Sequence, residues 1–304
     1  MSVPPGKILV TGSTGFVGRW VTRLWDEVVA WPRSADLADK EQVEETALRL
    51  YEEEQFHGVL HLAAQASPRR SVEKPCRTWQ VNLMGTVHLL EGLSRAGFQG
   101  AFLQVSSGAV YGKTTGEITE ESETFPSSPY VASKLAAELA ALEWGRRTGN
   151  RAMVVRPFNH SGPGQTDHYF LPAMARQITC LPAGGGVIEV GNLKVHRDFL
   201  HVREVVGAYR ALLEGGRNGE IYNLASGRSH TLSDLLDKLA ELSGRRVEYR
   251  VTLERFREEK EEAIRVDLSK LLDHTGWRPQ MSLGQLLQDL LEDWMTKSCR
   301  KQHS

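Results

Sequence analysis

The sequence predicts an α/β protein with a doubly wound parallel sheet and a smaller, discontinuous second lobe. Three observations lead to this fold class. A glycine-rich turn joins a short apolar run to a helical pattern near the N-terminus, strand and helix patterns then alternate, and the composition changes near residue 156. Alternation of this kind is typical of parallel sheets that are covered by helices.

The alternating patterns run from the N-terminus to about residue 156. The predicted strands lie near residues 7–11, 28–31, 58–62, 101–106 and 152–156. The predicted helices lie near residues 16–25, 40–54, 77–96 and 129–148. Beyond Arg156 we expect residues 202–213 and 221–224 to return to the sheet, and residues 228–300 to be mostly helical.

The chain has 304 residues, of which 40% are hydrophobic and 25% are charged. This length and composition suit a protein with one large core and a second lobe. The formal charge of -1 gives no cationic excess for a nucleic acid. Three widely spaced cysteines predict reduced thiols, and we expect neither a disulfide nor a metal. The N-terminus has no signal-peptide pattern, and no apolar run approaches the roughly 20 residues of a membrane span. The cytoplasm is the expected location.

The glycine-rich turn reads Thr-Gly-Ser-Thr-Gly-Phe-Val-Gly over residues 11–18. Gly12 suits a tight turn, Gly15 lets the backbone approach a phosphate, and Gly18 lets the helix pack closely on the strand. The amide groups at the helix start then face an anion, such as a dinucleotide pyrophosphate. Turns need glycine in any case, so an ordinary turn is the alternative.

The spacing G-x-x-G-x-x-G resembles that of the short-chain dehydrogenase/reductase superfamily. Further segments agree in order and distance with its extended branch, which modifies nucleotide sugars. These segments are 59–65, Val81-Asn82, 105–112 and the Tyr-Val-Ala-Ser-Lys run at 130–134. The resemblance covers nearly the whole chain. It implies a Rossmann domain over residues 1–156 plus about 201–226, and a nucleotide-sugar-binding lobe over about 157–200 plus 227–304.

The resemblance also implies three catalytic residues, Ser107, Tyr130 and Lys134. Counting back five positions from Gly112 of the V-Y-G segment gives Ser107 and not Ser106. Ser107 would hydrogen-bond the reacting oxygen, and Tyr130 would transfer the proton. We expect the Lys134 cation to lower the pKa of Tyr130 from its ordinary value of about 10, and to bind the nicotinamide ribose. An ordinary helical pair is the alternative for Tyr130 and Lys134.

The cofactor preference depends on the end of the second predicted strand. NAD-binding chains usually carry a carboxylate there, whereas this chain has Arg33, which suits a 2′-phosphate. We therefore expect NADP(H), with NAD(H) possible; a surface arginine is the alternative. Asp36 and Leu37 resemble the pair that lies against adenine, although Asp36 also fits a helix cap. The full cofactor set is Gly12, Thr14, Gly15, Phe16, Val17, Arg33, Asp36, Leu37, Leu62, Ala63, Ala64, Tyr130 and Lys134.

Two kinds of catalytic residue that relatives carry after the catalytic Ser or Thr are absent from this sequence, and their absence limits the reaction class. Dehydratases of this branch carry an acid pair after the catalytic Ser or Thr, and epimerase-reductases carry a cysteine, but this chain has Gly108-Ala109. With dehydration and ring epimerisation excluded in this way, the expected reaction is a simple hydride transfer at one carbon. Residues 156–165 and 191–200 resemble GDP-6-deoxy-D-mannose reductases. That resemblance implies NADPH-dependent reduction of GDP-4-keto-6-deoxy-D-mannose to GDP-D-rhamnose.

Two alternatives stay open: an NAD-dependent UDP-sugar 4-epimerase, and a non-catalytic cofactor-binding regulator. The 6-deoxy-talose product and another nucleotide base also stay open. The resemblance implies substrate contacts for Gln65, Ser107, Asn159, Arg197 and Arg257, where a solvated helix is the alternative for Arg257. It further implies a homodimer, in which the helices near 77–96 and 129–148 pair with their copies.

Overall fold

The computed structural model describes residues 6–112, 116–252 and 263–301, with side chains of the last helix described as far as residue 297. The strands are Ile8–Thr11 (β1), Val28–Ala30 (β2), Gly58–His61 (β3), Ala101–Val105 (β4), Gly116–Ile118 (β5), Arg151–Pro157 (β6), His160–Ser161 (β7), Gly186–Val190 (β8), His196–Asp198 (β9), Leu200–His201 (β10), Ile221–Leu224 (β11), Ser229–Thr231 (β12), Val247–Val251 (β13) and Ile264–Val266 (β14). Six of them form a parallel central sheet in the order β11-β6-β4-β3-β1-β2.

The helices cover both faces of this sheet and build the second lobe. They are Phe16–Leu24 (α1), Lys40–Glu54 (α2), Pro68–Glu73 (α3), Pro75–Trp79 (α4), Gly85–Arg95 (α5), Pro129–Thr148 (α6), Phe170–Cys180 (α7), Val202–Gly215 (α8), Leu232–Ser243 (α9), Ser269–Thr275 (α10) and Leu283–Lys301 (α11). A π-helical turn at Gln80–Met84 joins α4 to α5. No helix in these described ranges is long and apolar enough to cross a membrane.

Alternate strand residues face two separate cores, as the pleat of a strand requires. Val10 of β1 belongs to a cluster with residues of α1 and α8. Its neighbour Leu9 belongs to a cluster with residues of α2, α5 and α6. The predicted doubly wound parallel sheet is therefore confirmed, and the predicted elements of the first half lie where expected.

The sheet order places β3 and β2 on opposite sides of β1, so the topology reverses between β1 and β3. Ligands of open α/β sheets bind outside the carboxyl ends of the strands at such a point. β2 is an edge strand of three residues that pairs with β1, and Asp36 follows its last residue, Ala30, after a short loop. This short connection brings Asp36 and Leu37 to the same edge.

A third core holds the second lobe together. It joins residues of α7, α9 and α11 to β8 and β13, with Leu171, Leu235 and Leu287 fully buried. The residues of this core come from the segments that we predict to form the smaller lobe. The exact domain boundaries stay a prediction. The chain does return to the sheet after residue 200, because α8 packs on β4 and β11 pairs with β6. Residues 229–231, 247–251 and 264–266 form strands in the region that we expected to be mostly helical.

Candidate functional site

A cavity of about 1670 Å³ opens along the carboxyl ends of the central strands. Its walls include Gly12 after β1, Leu62 after β3, Ser107 after β4 and Asn159 after β6. The cavity continues beneath α7 of the second lobe, where Phe170 lines it. The topology therefore gathers the predicted cofactor residues and three of the predicted substrate residues, Ser107, Asn159 and Arg197, around one space.

The glycine turn forms one end of the cavity. Gly12 has a φ of 71°, a left-handed conformation that favours glycine, and its carbonyl oxygen accepts a hydrogen bond from the amide of Gly15 over 2.9 Å. A Cβ at Gly18 would lie 2.2 Å from that same carbonyl oxygen. The turn thus needs glycine at positions 12 and 18, and it directs the start of α1 at the cavity, where an anion can bind. All five predicted residues of this segment line the cavity: Gly12, Thr14, Gly15, Phe16 and Val17.

Ser107, Tyr130 and Lys134 line the same cavity. α6 begins at Pro129, and the Ser128 hydroxyl caps it by accepting a hydrogen bond from the Val131 amide. Tyr130 therefore lies in the first turn, and Lys134 follows one turn later on the same helix face. The side chains of Ser107 and Tyr130 are hydrogen-bonded to each other. This contact joins the end of β4 to the start of α6.

The pKa of Tyr130 differs from our expectation. Burial raises it above the ordinary value, and the hydrogen bond with Ser107 offsets part of that rise. The prediction that Lys134 lowers the pKa of Tyr130 is therefore wrong in this structure, because the removal of the phenol from water outweighs the one lowering contact, which comes from Ser107. The phenol holds its proton at neutral pH and is suited to donate it.

Lys134 is a buried cation whose side chain lines the cavity. It is 4% exposed, and burial lowers its pKa to about 8, while the nearby Glu138 acts in the opposite direction. Within the described parts of the chain its ammonium makes no hydrogen bond. A buried ammonium is stabilised by acceptors, and ribose hydroxyls of a ligand are suitable acceptors.

Ser106 and Ser107 have different partners, which supports the choice of Ser107. The Ser106 hydroxyl donates to the carboxylate of Glu138, which is 1% exposed. The buried Arg156 guanidinium donates to the same carboxylate over 2.7 Å. Ser106 thus belongs to a buried ionic network under α6, whereas Ser107 contacts Tyr130.

Under the cavity, His61 at the end of β3 links two parts of the site. Its Nδ1 lies 2.7 Å from Thr11 Oγ1, and its Nε2 lies 3.0 Å from Thr86 Oγ1. Thr86 Oγ1 donates to the carbonyl oxygen of Asn82, so Nε2 must be the protonated nitrogen of His61. Burial lowers the pKa of His61 to about 3. His61 is therefore a neutral, structural histidine.

Asn82 continues this connection to the catalytic helix. Its Nδ2 donates to Ser133 Oγ over 2.9 Å, and Ser133 Oγ donates to the carbonyl oxygen of Tyr130 over 2.8 Å. Asn82 Oδ1 accepts a hydrogen bond from the backbone amide of Gln65. The amide side chain of Gln65 is hydrogen-bonded to Ser67 and to Thr78 of α4, and Gln65 does not line the cavity. A substrate contact for Gln65 therefore has no support from its position and stays a prediction.

The adenosine end of the predicted cofactor site holds Arg33, Asp36 and Leu37, as expected, together with Arg77. Arg77 Nη2 donates to Asp36 Oδ2 over 2.6 Å, and this contact holds the pKa of Asp36 below its ordinary value. The helix-cap alternative for Asp36 is wrong, because Asp39 caps α2. Arg77 was not predicted from the sequence, because it lies 41 residues from Asp36 in a separate helix and no local pattern links the two.

The opposite end of the cavity contains Asn159 and Arg197, two of the predicted substrate residues. Arg257 lies outside the described residues. His168 and Tyr169 also line this end, and Tyr169 acts electrostatically on Tyr130. Neither residue was predicted from the sequence, because both lie in a loop without a recognisable motif. The remaining predicted cofactor residues line the cavity as well: Leu62, Ala63 and Ala64.

Comparisons with known proteins agree with this geometry. A family model described as "NAD dependent epimerase/dehydratase family" matches residues 8–225. The chain is 37% identical over 302 residues to the GDP-6-deoxy-D-mannose reductase of Pseudomonas aeruginosa, and the match covers 96% of this chain and 98% of that protein. It is 29% identical over 309 residues to a dTDP-glucose 4,6-dehydratase of an Actinoplanes species, over 90% and 93% of the two chains.

Solved structures give the same result. The structure of RMD from Pseudomonas aeruginosa complexed with NADPH matches with a TM-score of 0.87 and 36% identity, over 96% of this chain and 99% of that one. The UDP-glucose 4-epimerase of Thermus thermophilus, in complex with NAD, matches with a TM-score of 0.79 and 29% identity, over 95% and 98% of the two chains. The residues that the family model matches include the glycine turn, the Ser107–Tyr130 contact and Lys134. The chain belongs to the NAD dependent epimerase/dehydratase family.

Proposed function

We propose that this protein reduces the 4-keto group of GDP-4-keto-6-deoxy-D-mannose to give GDP-D-rhamnose, with NADPH as the reductant. The observation that carries the proposal is the hydrogen bond between Ser107 and Tyr130 beside the buried Lys134, in the cavity that begins at the glycine turn. The likeness to the Pseudomonas reductase, over nearly the full length of both chains, supports this substrate.

Position 108 supports a reductase over a dehydratase. A Cβ at Gly108 would lie 2.8 Å from the ring of Phe158, and that ring is stacked on Tyr111 with 6.1 Å between the ring centroids. A carboxylate or thiol at position 108 would therefore displace Phe158. Position 108 therefore lacks room for the additional acid or base that elimination or epimerisation at further carbons requires.

The residues of the cavity fit a dinucleotide. The turn at Gly12, Gly15 and the start of α1 would hold the pyrophosphate, and the ammonium of Lys134 would hold the nicotinamide ribose. Arg33 and Arg77 offer guanidinium groups at the adenosine end, where a 2′-phosphate favours NADP(H) over NAD(H). When bound, NADPH supplies the hydride that reduces carbon 4.

The chain's own residues then act on the carbonyl oxygen of the substrate. As negative charge develops on that oxygen, the hydroxyls of Ser107 and Tyr130 stabilise it by hydrogen bonds. Tyr130 gives up its proton to the oxygen and so acts as the general acid. Asn159 and Arg197 would position the nucleotide sugar at the other end of the cavity, with Arg197 facing the diphosphate.

Incubation of the purified protein with NADPH and GDP-4-keto-6-deoxy-D-mannose tests this function. We expect one NADPH to be consumed for each sugar reduced, and NMR of the product then identifies rhamnose or 6-deoxy-talose at carbon 4. Parallel incubation with NAD and a UDP-sugar tests the alternative of a 4-epimerase. Cofactor binding without turnover of either sugar would instead indicate a regulator.

We further propose a homodimer that uses the exposed faces of α3 to α6. Large apolar side chains lie exposed there, at Val72, Trp79, Met84 and Leu139, and α5 and α6 pack against each other. An equivalent face on a second copy would remove these side chains from water. The cytoplasmic location expected from the sequence stays a prediction.

A further inference from the structure

Tyr209 is a second tyrosine of the cavity that the proposed mechanism does not use. It lies in α8, on the side of the sheet opposite α6, and is 1% exposed. Its ring belongs to the core cluster that also contains Val105, with Leu62 packed against it. Tyr209, Val105 and Leu62 all line the cavity. Tyr209 therefore reaches from the core up to the floor of the site.

The hydroxyl of Tyr209 has no hydrogen-bond partner in the parts of the chain that the structure describes. Burial raises its pKa far above the ordinary value, so the group is a protonated donor. A donor that lines a cavity and has no partner in the protein is available to an acceptor on a bound ligand.

Tyr222, a buried tyrosine of the same core cluster, shows the contrast. Its hydroxyl accepts a hydrogen bond from the Arg217 amide over 2.8 Å and contacts His274 Nδ1 over 2.8 Å. The Tyr222 hydroxyl is thus satisfied by the protein alone. Tyr209, by contrast, lines the cavity and has no such partners in the described parts of the chain.

The surroundings of Tyr209 indicate which part of a ligand it meets. The Tyr209 and Tyr130 hydroxyls lie close enough to interact electrostatically, so Tyr209 lies near the reacting end of the cavity. Its neighbours on the cavity wall, Leu62 and Val105, are apolar, and such a floor suits a flat ring better than a sugar with many hydroxyls. A nicotinamide ring presents one strong neutral acceptor, the oxygen of its carboxamide.

We propose that Tyr209 is a cofactor-binding residue whose hydroxyl donates a hydrogen bond to the carboxamide of the nicotinamide ring. This assignment rests on the proposed function, because it requires NADPH in the cavity. The bond fixes the rotation of the ring about its glycosidic bond. It thereby sets which face of the ring lies on the floor and which face is turned to the sugar.

The variant Tyr209→Phe tests the assignment, with Tyr222→Phe as the matched control. Without ligand, we expect Tyr209→Phe to unfold at the wild-type temperature or above it, since the hydroxyl that is lost has no partner. Tyr222→Phe should unfold at a lower temperature. With NADPH, we expect the Kd of Tyr209→Phe to rise by about three- to tenfold. The Kd of Tyr222→Phe should stay at the wild-type value.

The fragment 2′,5′-ADP, which lacks nicotinamide, completes the test. We expect it to bind Tyr209→Phe and the wild type equally. Three outcomes overturn the assignment: an unchanged Kd for NADPH, an equal loss of affinity for 2′,5′-ADP, or a lower unfolding temperature of the ligand-free variant. A wild-type protein that binds no NADPH would contradict the proposed function itself, which separates that failure from the failure of this assignment.

Discussion

Arg77 and Asp36 form an ion pair of 2.6 Å at the adenosine end of the cavity, where two separate segments of the chain meet. Both side chains are about half exposed, so the pair adds little to stability. The pair matters for the cofactor site. Without Arg77, the Asp36 carboxylate would be unpaired and would repel a 2′-phosphate. We therefore expect the pair to favour NADPH at a site that contains an acidic residue.

Removal of Arg77 should therefore weaken NADPH binding more than NADH binding. We expect Arg77→Ala and Arg33→Ala each to raise the Kd for NADPH by roughly tenfold, the loss of about one charge-assisted hydrogen bond. The Kd for NADH should change by less than about twofold, since NADH lacks the 2′-phosphate. Fluorescence titration of both cofactors measures the two constants.

Arg69→Ala is the control for these variants, because Arg69 is a highly exposed arginine of α3 that pairs with Glu73 and does not line the cavity. Its affinities should match the wild type. Equal losses of NADPH and NADH affinity in Arg77→Ala would contradict a role in 2′-phosphate recognition.

Gly18→Ala should abolish cofactor binding. The added methyl group would lie 2.2 Å from the Gly12 carbonyl oxygen, so the turn before α1 must move. Gly184→Ala is the control, because nothing lies within 4 Å of its added Cβ. We expect NADPH to raise the unfolding temperature of Gly184→Ala as it does for the wild type, and to leave that of Gly18→Ala unchanged. A normal response of Gly18→Ala would contradict the assignment of this turn.

We expect the buried ammonium of Lys134 to lower the free energy of unfolding at neutral pH when no cofactor is bound. Burial lowers its pKa to about 8 from 10.5, so between these values the unfolded chain binds more protons than the folded one. The free energy of unfolding therefore rises with pH across this window, and below pH 8 the cost of the buried charge is present in full.

The comparison of wild type with Lys134→Met isolates this contribution. Relative to the variant, we expect the free energy of unfolding of the wild type to rise by about 2 kcal/mol between roughly pH 7 and pH 10. Urea unfolding at a series of pH values measures the difference. A pH-independent difference would show that Lys134 titrates as an exposed lysine.

Leu139→Glu should give monomers. Leu139 is 63% exposed on α6, and a charge there would be buried in the proposed dimer. Leu48→Glu is the control, since Leu48 is exposed on α2, away from the proposed interface. Light scattering after gel filtration gives the mass of each variant. A monomeric wild type, or a dimeric Leu139→Glu, would contradict the proposed interface.

The sequence predicted the features that depend on neighbours along the chain. The glycine turn needs a strand, three glycines and a helix start within residues 7–18, and the Tyr130–Lys134 pair needs one helix. Both patterns are local, and the structure has them in the expected elements. The site residues predicted from these two motifs therefore line the cavity.

The features that depend on tertiary packing escaped the sequence analysis. Arg77 meets Asp36 from a distant helix, and Tyr209 approaches Tyr130 from the opposite face of the sheet. The raised pKa of Tyr130 arises from burial, which a motif does not encode. The strands at 229–231 and 264–266 have three residues each, too few for an alternating pattern to be recognised.

The rate of NADPH oxidation by Tyr130→Phe, with GDP-4-keto-6-deoxy-D-mannose as substrate, is the most direct measure of the central claim. That claim assigns the proton donated to the reduced sugar to the phenol of Tyr130. We expect turnover to fall by about 10²- to 10⁴-fold, because general acid catalysis is lost, while the Kd for NADPH stays close to the wild-type value. A variant that turns over at the wild-type rate would contradict the claim.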